Sequence, residues 1–233
     1  MRPIGFSTGA LAHADFERAR GMLRGTGIEV VELSALREAE LAPLVSAIEK
    51  LDFSQFRYVS VHAPSLFPRE KEAGVIDALR AVAKKGWPIV LHPDAIHEHA
   101  LWRSLGEAVC LENMDRRKPI GRSAKELSRL FDLLPKACFC FDIGHPRQFD
   151  STMTEAYLLL TTIRGRLRQV HVSEVTTSSK HDLLPYASIL AFREVAHLIP
   201  EETPLILETP ASRDGMRAEM ERVREALPVG AAA

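Results

Sequence analysis

The stretch Cys138-Phe139-Cys140-Phe141-Asp142-Ile143-Gly144-His145-Pro146 combines the features of a buried strand with chemically active side chains. Its first four residues are apolar or aromatic, and Gly144 and Pro146 indicate where the strand must stop. Asp142 and His145 lie three positions apart at that end. A lone Asp after a strand more often caps the next helix, so the stretch indicates a site only if other strands end in the same way.

Seven other apolar runs have the same character, at 3–8, 28–33, 58–64, 88–93, 108–113, 169–175 and 204–210. Segments with helical periodicity alternate with the runs, at 15–24, 41–51, 70–85, after Asp94, and at 123–134, 154–163, 188–198 and 214–227. Apolar strands that alternate with helices predict a parallel sheet covered on both faces. We therefore predict an α/β fold, a single (β/α)8 TIM barrel over residues 1–233 with a frayed tail at 228–233. An open doubly wound sheet is the alternative.

The composition excludes several classes of protein. The chain has 233 residues, of which 46% are hydrophobic and 26% charged, enough to bury one large core. No run of about 18 apolar residues predicts a membrane span, and the first residues lead into a strand without a signal-peptide pattern, so a cytoplasmic location is expected. The formal net charge of −1 disfavours a duplex-binding protein. The three cysteines lie in apolar runs and are expected to be buried thiols.

Histidine and acidic residues recur at the carboxyl ends of the predicted strands, where barrel enzymes hold their active sites. They are Glu32, His62, His92, Glu112, Asp142, His145, His171 and Glu208. Any one of them alone could be structural, but together they predict a metal site. Mixed imidazole and carboxylate donors suit Zn²⁺, Mn²⁺, Fe or Co²⁺ better than Ca²⁺ or Mg²⁺. One ion would need only the donors Glu112, Asp142, His171 and Glu208.

The remaining polar residues near these ends are candidates for further ions or for substrate binding. The stronger candidates are His62, His92, His145 and His181; the weaker candidates, for substrate contact alone, are Glu32, Arg147 and Lys180.

The order Glu, Asp-x-x-His, His and Glu on the fifth to eighth strands resembles the xylose isomerase-like TIM barrel superfamily. That superfamily contains sugar isomerases and epimerases and the endonuclease IV type of AP endonuclease (AP endonuclease family 2). The resemblance covers essentially the whole chain, and it implies that Glu112, Asp142, His171 and Glu208 hold the single metal of the isomerases. The endonuclease IV pattern also matches His62, His92, His145 and His181. That pattern has an Asp where this chain has Ser179, so a trinuclear zinc cluster would need Asp182 as a substitute.

The resemblance implies first a metal-dependent isomerase or epimerase of a small sugar or sugar phosphate. Glu112 and Glu208 would exchange a proton with a carbon next to a metal-polarised carbonyl, and His145 would hold a hydroxyl or a proton. The alternative is a phosphodiester hydrolase of the endonuclease IV type with two or three ions. Nucleic acid would be the partner in that case, and it is less expected than a small sugar-like substrate. A second alternative is a non-catalytic metal-binding barrel with a closed coordination sphere. The residues do not indicate an oligomeric state.

Overall fold

Eight parallel strands close into a barrel in the computed structural model, which describes residues 2–13 and 15–230. The barrel strands are β1 (Ile4–Ser7), β2 (Val30–Ser34), β3 (Tyr58–His62), β4 (Ile89–Leu91), β5 (Val109–Glu112), β6 (Cys138–Asp142), β7 (Leu167–Val172) and β10 (Leu205–Leu207). Two further short strands, β8 (Glu174–Val175) and β9 (His181–Asp182), form a hairpin between β7 and β10. β10 pairs with both β7 and β1, which closes the ring without the hairpin. The predicted (β/α)8 TIM barrel is confirmed, and the open sheet is excluded.

Ten α-helices surround the strands: α1 (Thr8–Ala12), α2 (Phe16–Leu23), α3 (Glu38–Lys50), α4 (Glu72–Lys84), α5 (His99–Trp102), α6 (Ala124–Leu133), α7 (Gly144–Phe149), α8 (Thr154–Thr162), α9 (Tyr186–Arg193) and α10 (Met216–Ala226), counted over the described residues. Short 3₁₀ turns at 93–95 and 103–108 flank α5, and another at 196–198 replaces the predicted end of the helix at 188–198. None of the described helices is long and apolar enough to cross a bilayer. Residues 231–233 of the predicted tail lie outside the described part of the chain.

The segment after β6 differs from the predicted break, because α7 begins at Gly144 and includes Pro146. Proline is tolerated in a first helical turn, where the backbone N–H has no partner within the helix. Glycine is required at 144, since a Cβ there would lie 2.6 Å from the carbonyl oxygen of Ser173. The helix can therefore approach the end of β7 closely and places His145 at the barrel mouth.

The predicted seventh run divides into two strands. β7 ends at Val172, and residues 174–175 pair with residues 181–182 in the antiparallel hairpin β8–β9. The segment expected to be a polar loop at 176–182 therefore contains the turn and the return strand of this hairpin. Ser179 lies in the turn with a φ of +54°. The hairpin carries His181 back to the mouth of the barrel.

Two layers of side chains follow from the alternation of each strand, because successive residues face opposite sides of a sheet. The layer that faces the helices is apolar and includes Val59, Val61, Phe139, Phe141, Val170 and Val172. The layer inside the barrel is small or polar. It contains the separate cluster of Val90, Cys110 and Cys140, together with Tyr58, Ser60 and Gln169. Most of the apolar burial that stabilises the fold thus lies outside the barrel.

Arg2, just before β1, is hydrogen-bonded to two segments from the last part of the chain, at 196–200 and 227–228. Its buried guanidinium donates five hydrogen bonds, to the carbonyl oxygens of Ala196, Ile199, Pro200, Leu227 and Pro228. Arginine offers its donors in a planar fork, so one side chain can satisfy several carbonyls at once.

We predict that Arg2→Met lowers the free energy of unfolding by about 3 kcal/mol, because several buried carbonyls lose their donor. Urea titration followed by circular dichroism measures this change. The matched control is Arg217→Met, since Arg217 is exposed and has no side-chain hydrogen bond or ion pair among the described residues. Equal effects of the two substitutions would contradict the role of Arg2.

Candidate metal centre

Four predicted ligands converge at the carboxyl end of the barrel. One donor atom from each of Glu112, Asp142, His171 and Glu208 lies within 4.8 Å of the others. Glu112 and Asp142 end β5 and β6, His171 is the penultimate residue of β7, and Glu208 follows β10. Three of the four residues are buried, whereas Glu208 is partly accessible from the mouth.

Asp142 both caps a helix and faces this cluster. Its Oδ1 accepts the backbone N–H of His145 in the first turn of α7, at 2.8 Å. Its Oδ2 is buried and has no hydrogen-bond partner among the described residues. Asn113, which the sequence analysis did not single out, fixes the strand end by exchanging two side-chain hydrogen bonds of 2.8 Å with the Asp142 backbone. The free oxygen is therefore held in one position and aimed at the cluster.

His171 is aimed in the same way. Its Nε2 lies 3.0 Å from Glu32 Oε2 and 2.9 Å from Gln169 Nε2. Because a carboxylate oxygen only accepts, and the Gln169 amide already donates to this same oxygen at 2.7 Å, we assign the hydrogen to Nε2 of His171 as the donor to Glu32. Its Nδ1 lies 3.4 Å from Glu112 Oε1 and 3.3 Å from Glu208 Oε2 and has no hydrogen-bond partner among the described residues. Burial opposes a charge on the ring, but the surrounding anionic groups raise the pKa of His171 well above its usual value, so Nδ1 carries a proton that a cation can replace. A buried ring nitrogen surrounded by carboxylate oxygens is the arrangement expected of a cation ligand.

A second group shares Glu112 with the first. His62, His92 and Glu112 also offer donor atoms within 4.8 Å of one another. Both imidazoles point Nε2 at the same oxygen, Glu112 Oε2, at 3.4 Å and 3.3 Å. These separations are long for hydrogen bonds, but ligand atoms around a tetrahedral ion with bonds of about 2.0–2.1 Å lie about 3.3 Å apart. The donors of the second group thus also fit an ion.

The tautomer of His62 supports this fit. His62 Nδ1 donates to the carbonyl oxygen of Ala63 at 2.8 Å, so the neutral ring presents a lone pair on Nε2. That lone pair faces an oxygen of Glu112, which is stable only with a proton or a cation between them. Without an ion, a proton fills this place: burial disfavours the imidazolium, but the carboxylates of Glu112, Glu32 and Glu208 outweigh burial and raise the pKa of His62 to about 9.

The surroundings of the three carboxylates shift their pKa values in opposite directions. Burial raises the pKa of Asp142 to about 6, and the charges of Glu208 and Glu112 add to this effect. Burial alone would also raise the pKa of Glu112, but the imidazoles of His171, His62 and His92 hold it well below its usual range. His171 likewise lowers the pKa of Glu208 against the effect of burial. Glu112 and Glu208 therefore remain ionised and available to a cation.

A third group of ligands is not formed among the described residues. His145 Nδ1 donates to the carbonyl oxygen of Asn113 at 2.7 Å, and His181 Nδ1 lies 2.7 Å from Ser173 Oγ. Ser179, where the endonuclease IV pattern has Asp, donates its hydroxyl to Asp115 at 2.9 Å. Asp182 is exposed and accepts the N–H of Leu183, so its carboxylate does not take the place of the missing Asp.

The centre opens into a pocket of about 730 Å³, a size typical of small-molecule sites. Lys180, one of the weaker predicted substrate contacts, lines this pocket, as do Arg117 and Lys118, which were not predicted. The other two weaker candidates lie elsewhere. Glu32 is fully buried below the centre, and Arg147 pairs with Glu174 at 3.0 Å. The cationic side of the mouth is therefore formed by residues 117, 118 and 180.

Comparisons with known proteins agree with this architecture. Endonuclease IV from Thermus thermophilus matches over 96% of this chain and 99% of its own, with a TM-score of 0.60 and 18% sequence identity. A xylose isomerase domain protein from Alicyclobacillus acidocaldarius matches over 97% and 98%, with a TM-score of 0.62 and 14% identity. A xylose isomerase-like TIM barrel protein from Mycobacterium smegmatis, in complex with magnesium, matches over 97% of both chains, with a TM-score of 0.57 and 10% identity. The chain shares their fold.

The predicted resemblance to the xylose isomerase-like barrels is thus confirmed at the level of the fold. No protein-family model matches the sequence, and no curated protein matches it either. Since proteins with this fold carry different activities, the function must be argued from the residues of the centre.

We predict that ion binding at pH 7 releases protons, because metal ligands must be deprotonated and His62, with a pKa of about 9, is protonated in the metal-free protein. Ion affinity should therefore increase as the pH rises toward 9. Calorimetric titration with Zn²⁺ in buffers of different ionisation enthalpy counts the released protons. His62→Asn should release about one proton fewer, and an unchanged count would contradict the assignment.

Proposed function

We propose that the protein is a metal-dependent hydrolase that cleaves a phosphate ester at a centre of two divalent ions, with Glu112 as the shared ligand. The supporting observation is the position of the Glu112 carboxylate between two donor groups. One oxygen faces His62 and His92, and the other faces His171. A carboxylate that offers one oxygen to each of two sets of ligands suits a pair of ions better than a single ion.

Phosphate ester hydrolysis is the chemistry that such a pair supports best. Two ions bound together act as Lewis acids on a phosphoryl oxygen and lower the pKa of water, so that a nucleophile is available at neutral pH. The donors present suit Zn²⁺, Mn²⁺, Fe or Co²⁺. The family resemblance implies an isomerase before a hydrolase, but the histidine pair that converges on Glu112 leads us to propose the hydrolase.

The residues of this chain have separate tasks in the proposed reaction. Glu208 is ionised and lines the pocket, so its carboxylate can accept a hydrogen bond from the attacking water and orient the water toward phosphorus. His145 and His181 lie beside Asp142 and Glu208 at 3.6 Å and can donate to the oxygen of the leaving group. Lys180 has no ion-pair partner among the described residues and can bind a negatively charged substrate.

The shape of the pocket favours a small phosphate ester over a DNA duplex. Its volume of about 730 Å³ suits a molecule of nucleotide size or smaller. Lys118 and Arg117 are already paired with Asp94 at 2.8 Å and with Asp115 at 3.3 Å, which leaves few free cations to bind a phosphate backbone. We therefore propose a small phosphorylated molecule as the substrate.

A sugar isomerase or epimerase is the second candidate. It is favoured by the positions of Glu112 and Glu208, whose carboxylates flank His171 Nδ1 at 3.4 Å and 3.3 Å. In this function one ion would suffice, and the two carboxylates would move a proton at a carbon next to a carbonyl. His62 and His92 would then only orient Glu112. A non-catalytic metal-binding barrel is less consistent with the open pocket above Glu208, because such a site would be closed.

The number of bound ions separates the two candidate enzymes. We predict that untagged protein saturated with Zn²⁺ or Mn²⁺ binds two equivalents, and that His62→Ala and His92→Ala each bind one. Asp142→Ala should also lose one ion, while Glu112→Ala should weaken both. Elemental analysis after gel filtration gives the count. The control is His197→Ala, since His197 is exposed and lies outside the centre.

The two-ion centre would be contradicted if the wild-type protein bound only one ion and both His62→Ala and His92→Ala still bound it. That result would favour the isomerase.

We predict that the loaded protein hydrolyses p-nitrophenyl phosphate esters and that Glu208→Gln slows turnover by about 10²-fold or more. The loss should persist where the ion count is unchanged, because the variant removes the carboxylate that orients the attacking water. Release of nitrophenol measures the rate, and His197→Ala should match the wild type. Exchange of carbon-bound hydrogen of sugars with D₂O, without any phosphatase activity, would instead support the isomerase.

A further inference from the structure

The geometry points to Glu32 as a positioning residue that aims His171 at its ion and sets the affinity of the four-residue group Glu112, Asp142, His171 and Glu208. This inference rests on the metal centre proposed above. It differs from the substrate contact that the sequence predicted for Glu32. The carboxylate is fully buried in the middle of β2 and does not line the pocket, so it cannot touch a substrate there.

A single oxygen of Glu32 organises the barrel interior beneath the centre. Glu32 Oε2 accepts hydrogen bonds from Gln169 Nε2 at 2.7 Å, from Ser60 Oγ at 3.0 Å and from His171 Nε2 at 3.0 Å. These donors come from β7 and β3, on either side of the interior. The acceptor for the His171 hydrogen is therefore fixed from two directions.

The hydrogen bonds continue toward the opposite end of the barrel. Gln169 Oε1 accepts the hydroxyl of Tyr58 at 2.8 Å, and Tyr58 begins β3. This contact fixes the amide, whose nitrogen then points at Glu32. We call Tyr58, Gln169, Ser60 and Glu32 the interior column. It connects the fold of the barrel to the orientation of one imidazole.

The charge of Glu32 gives a reason for this arrangement beyond packing. A carboxylate buried in a protein interior is costly unless a cation lies next to it. Among the described residues, no lysine or arginine forms an ion pair with Glu32, and the one ionisable partner is His171. A carboxylate that accepts a hydrogen from a ligating histidine fixes the tautomer of the ring and increases its basicity, and loss of such a carboxylate typically costs about 10- to 100-fold in metal affinity. A neutral amide at position 32 would fill the same space without increasing the basicity of His171.

The test compares ion affinities of Glu32→Gln and Ser60→Ala with those of the wild type. Glu32→Gln keeps the shape of the side chain and removes the charge, while Ser60→Ala removes a hydrogen bond to the same oxygen without touching His171. We expect Glu32→Gln to weaken one Zn²⁺ by about 10- to 100-fold in competition with a chelator. The ion of the group formed by His62, His92 and Glu112 should change by less than about 3-fold and serves as an internal control. Ser60→Ala keeps the charge of Glu32 and the hydrogen bond from Gln169, so it should weaken the same ion by less than Glu32→Gln does.

A second measurement needs no variant. Long-range ¹H–¹⁵N correlation spectra of the Zn²⁺-loaded wild type report which ring nitrogen of His171 is protonated, and we expect Nε2.

In a His171→Ala background, Glu32→Gln should have no further effect on affinity, because the two residues act as one unit.

The outcomes separate this inference from the proposed function. Unchanged affinity in Glu32→Gln, an equal loss at both ions, or a proton on Nδ1 of His171 in the loaded wild type would each overturn the positioning role. These outcomes leave the two-ion centre intact. A wild-type protein that binds no ion overturns the metal centre and the role of Glu32 together. If Glu32→Gln does not fold, the tautomer of His171 in the wild type decides.

Discussion

The buried charge of Glu112 is the constraint on which both proposed ion positions depend. Its carboxylate is almost inaccessible to solvent and is surrounded by the imidazoles of three strands, β3, β7 and the end of β4. A charge in such a position must be neutralised by its neighbours. Protonated histidines provide the neutralising charge in the metal-free chain, and bound ions would take over that task as the protons leave. The mouth of the barrel is thus electrostatically compatible with both states.

The same group of four ligands fits two kinds of chemistry, and the difference lies in two side chains. Glu112, Asp142, His171 and Glu208 would serve an isomerase or a hydrolase equally well. His62 and His92 give the second oxygen of Glu112 a set of partners of its own. On our proposal, the histidines at the ends of the third and fourth strands decide between the two kinds of chemistry in this chain. The fold itself does not decide it.

The sequence was sufficient to predict the barrel and the convergence of the four ligands, because strands that end in the same direction bring their last side chains together. It was less informative about the interior. Ser60 and Gln169 lie in runs that are otherwise apolar, although their spacing of two from His62 and His171 places them on the same face of each strand. The sequence does not predict the hairpin β8–β9, because strands of two residues are too short to show an alternation of apolar and polar residues. The pairing of Glu112 with two groups depends on distances across the barrel, which no local pattern contains.

The bonds of Arg2 also bear on how the chain folds. They join position 2 to carbonyls at 196–228, a separation of 194 to 226 residues. Contacts of such long range form late, because the loop that they close is costly in entropy. During synthesis, β1 cannot pair with β10 until almost the whole of this barrel has left the ribosome, so any sheet that forms earlier has two free edges. Free edges are open to pairing with strands of other chains, and closure of the ring removes both at once.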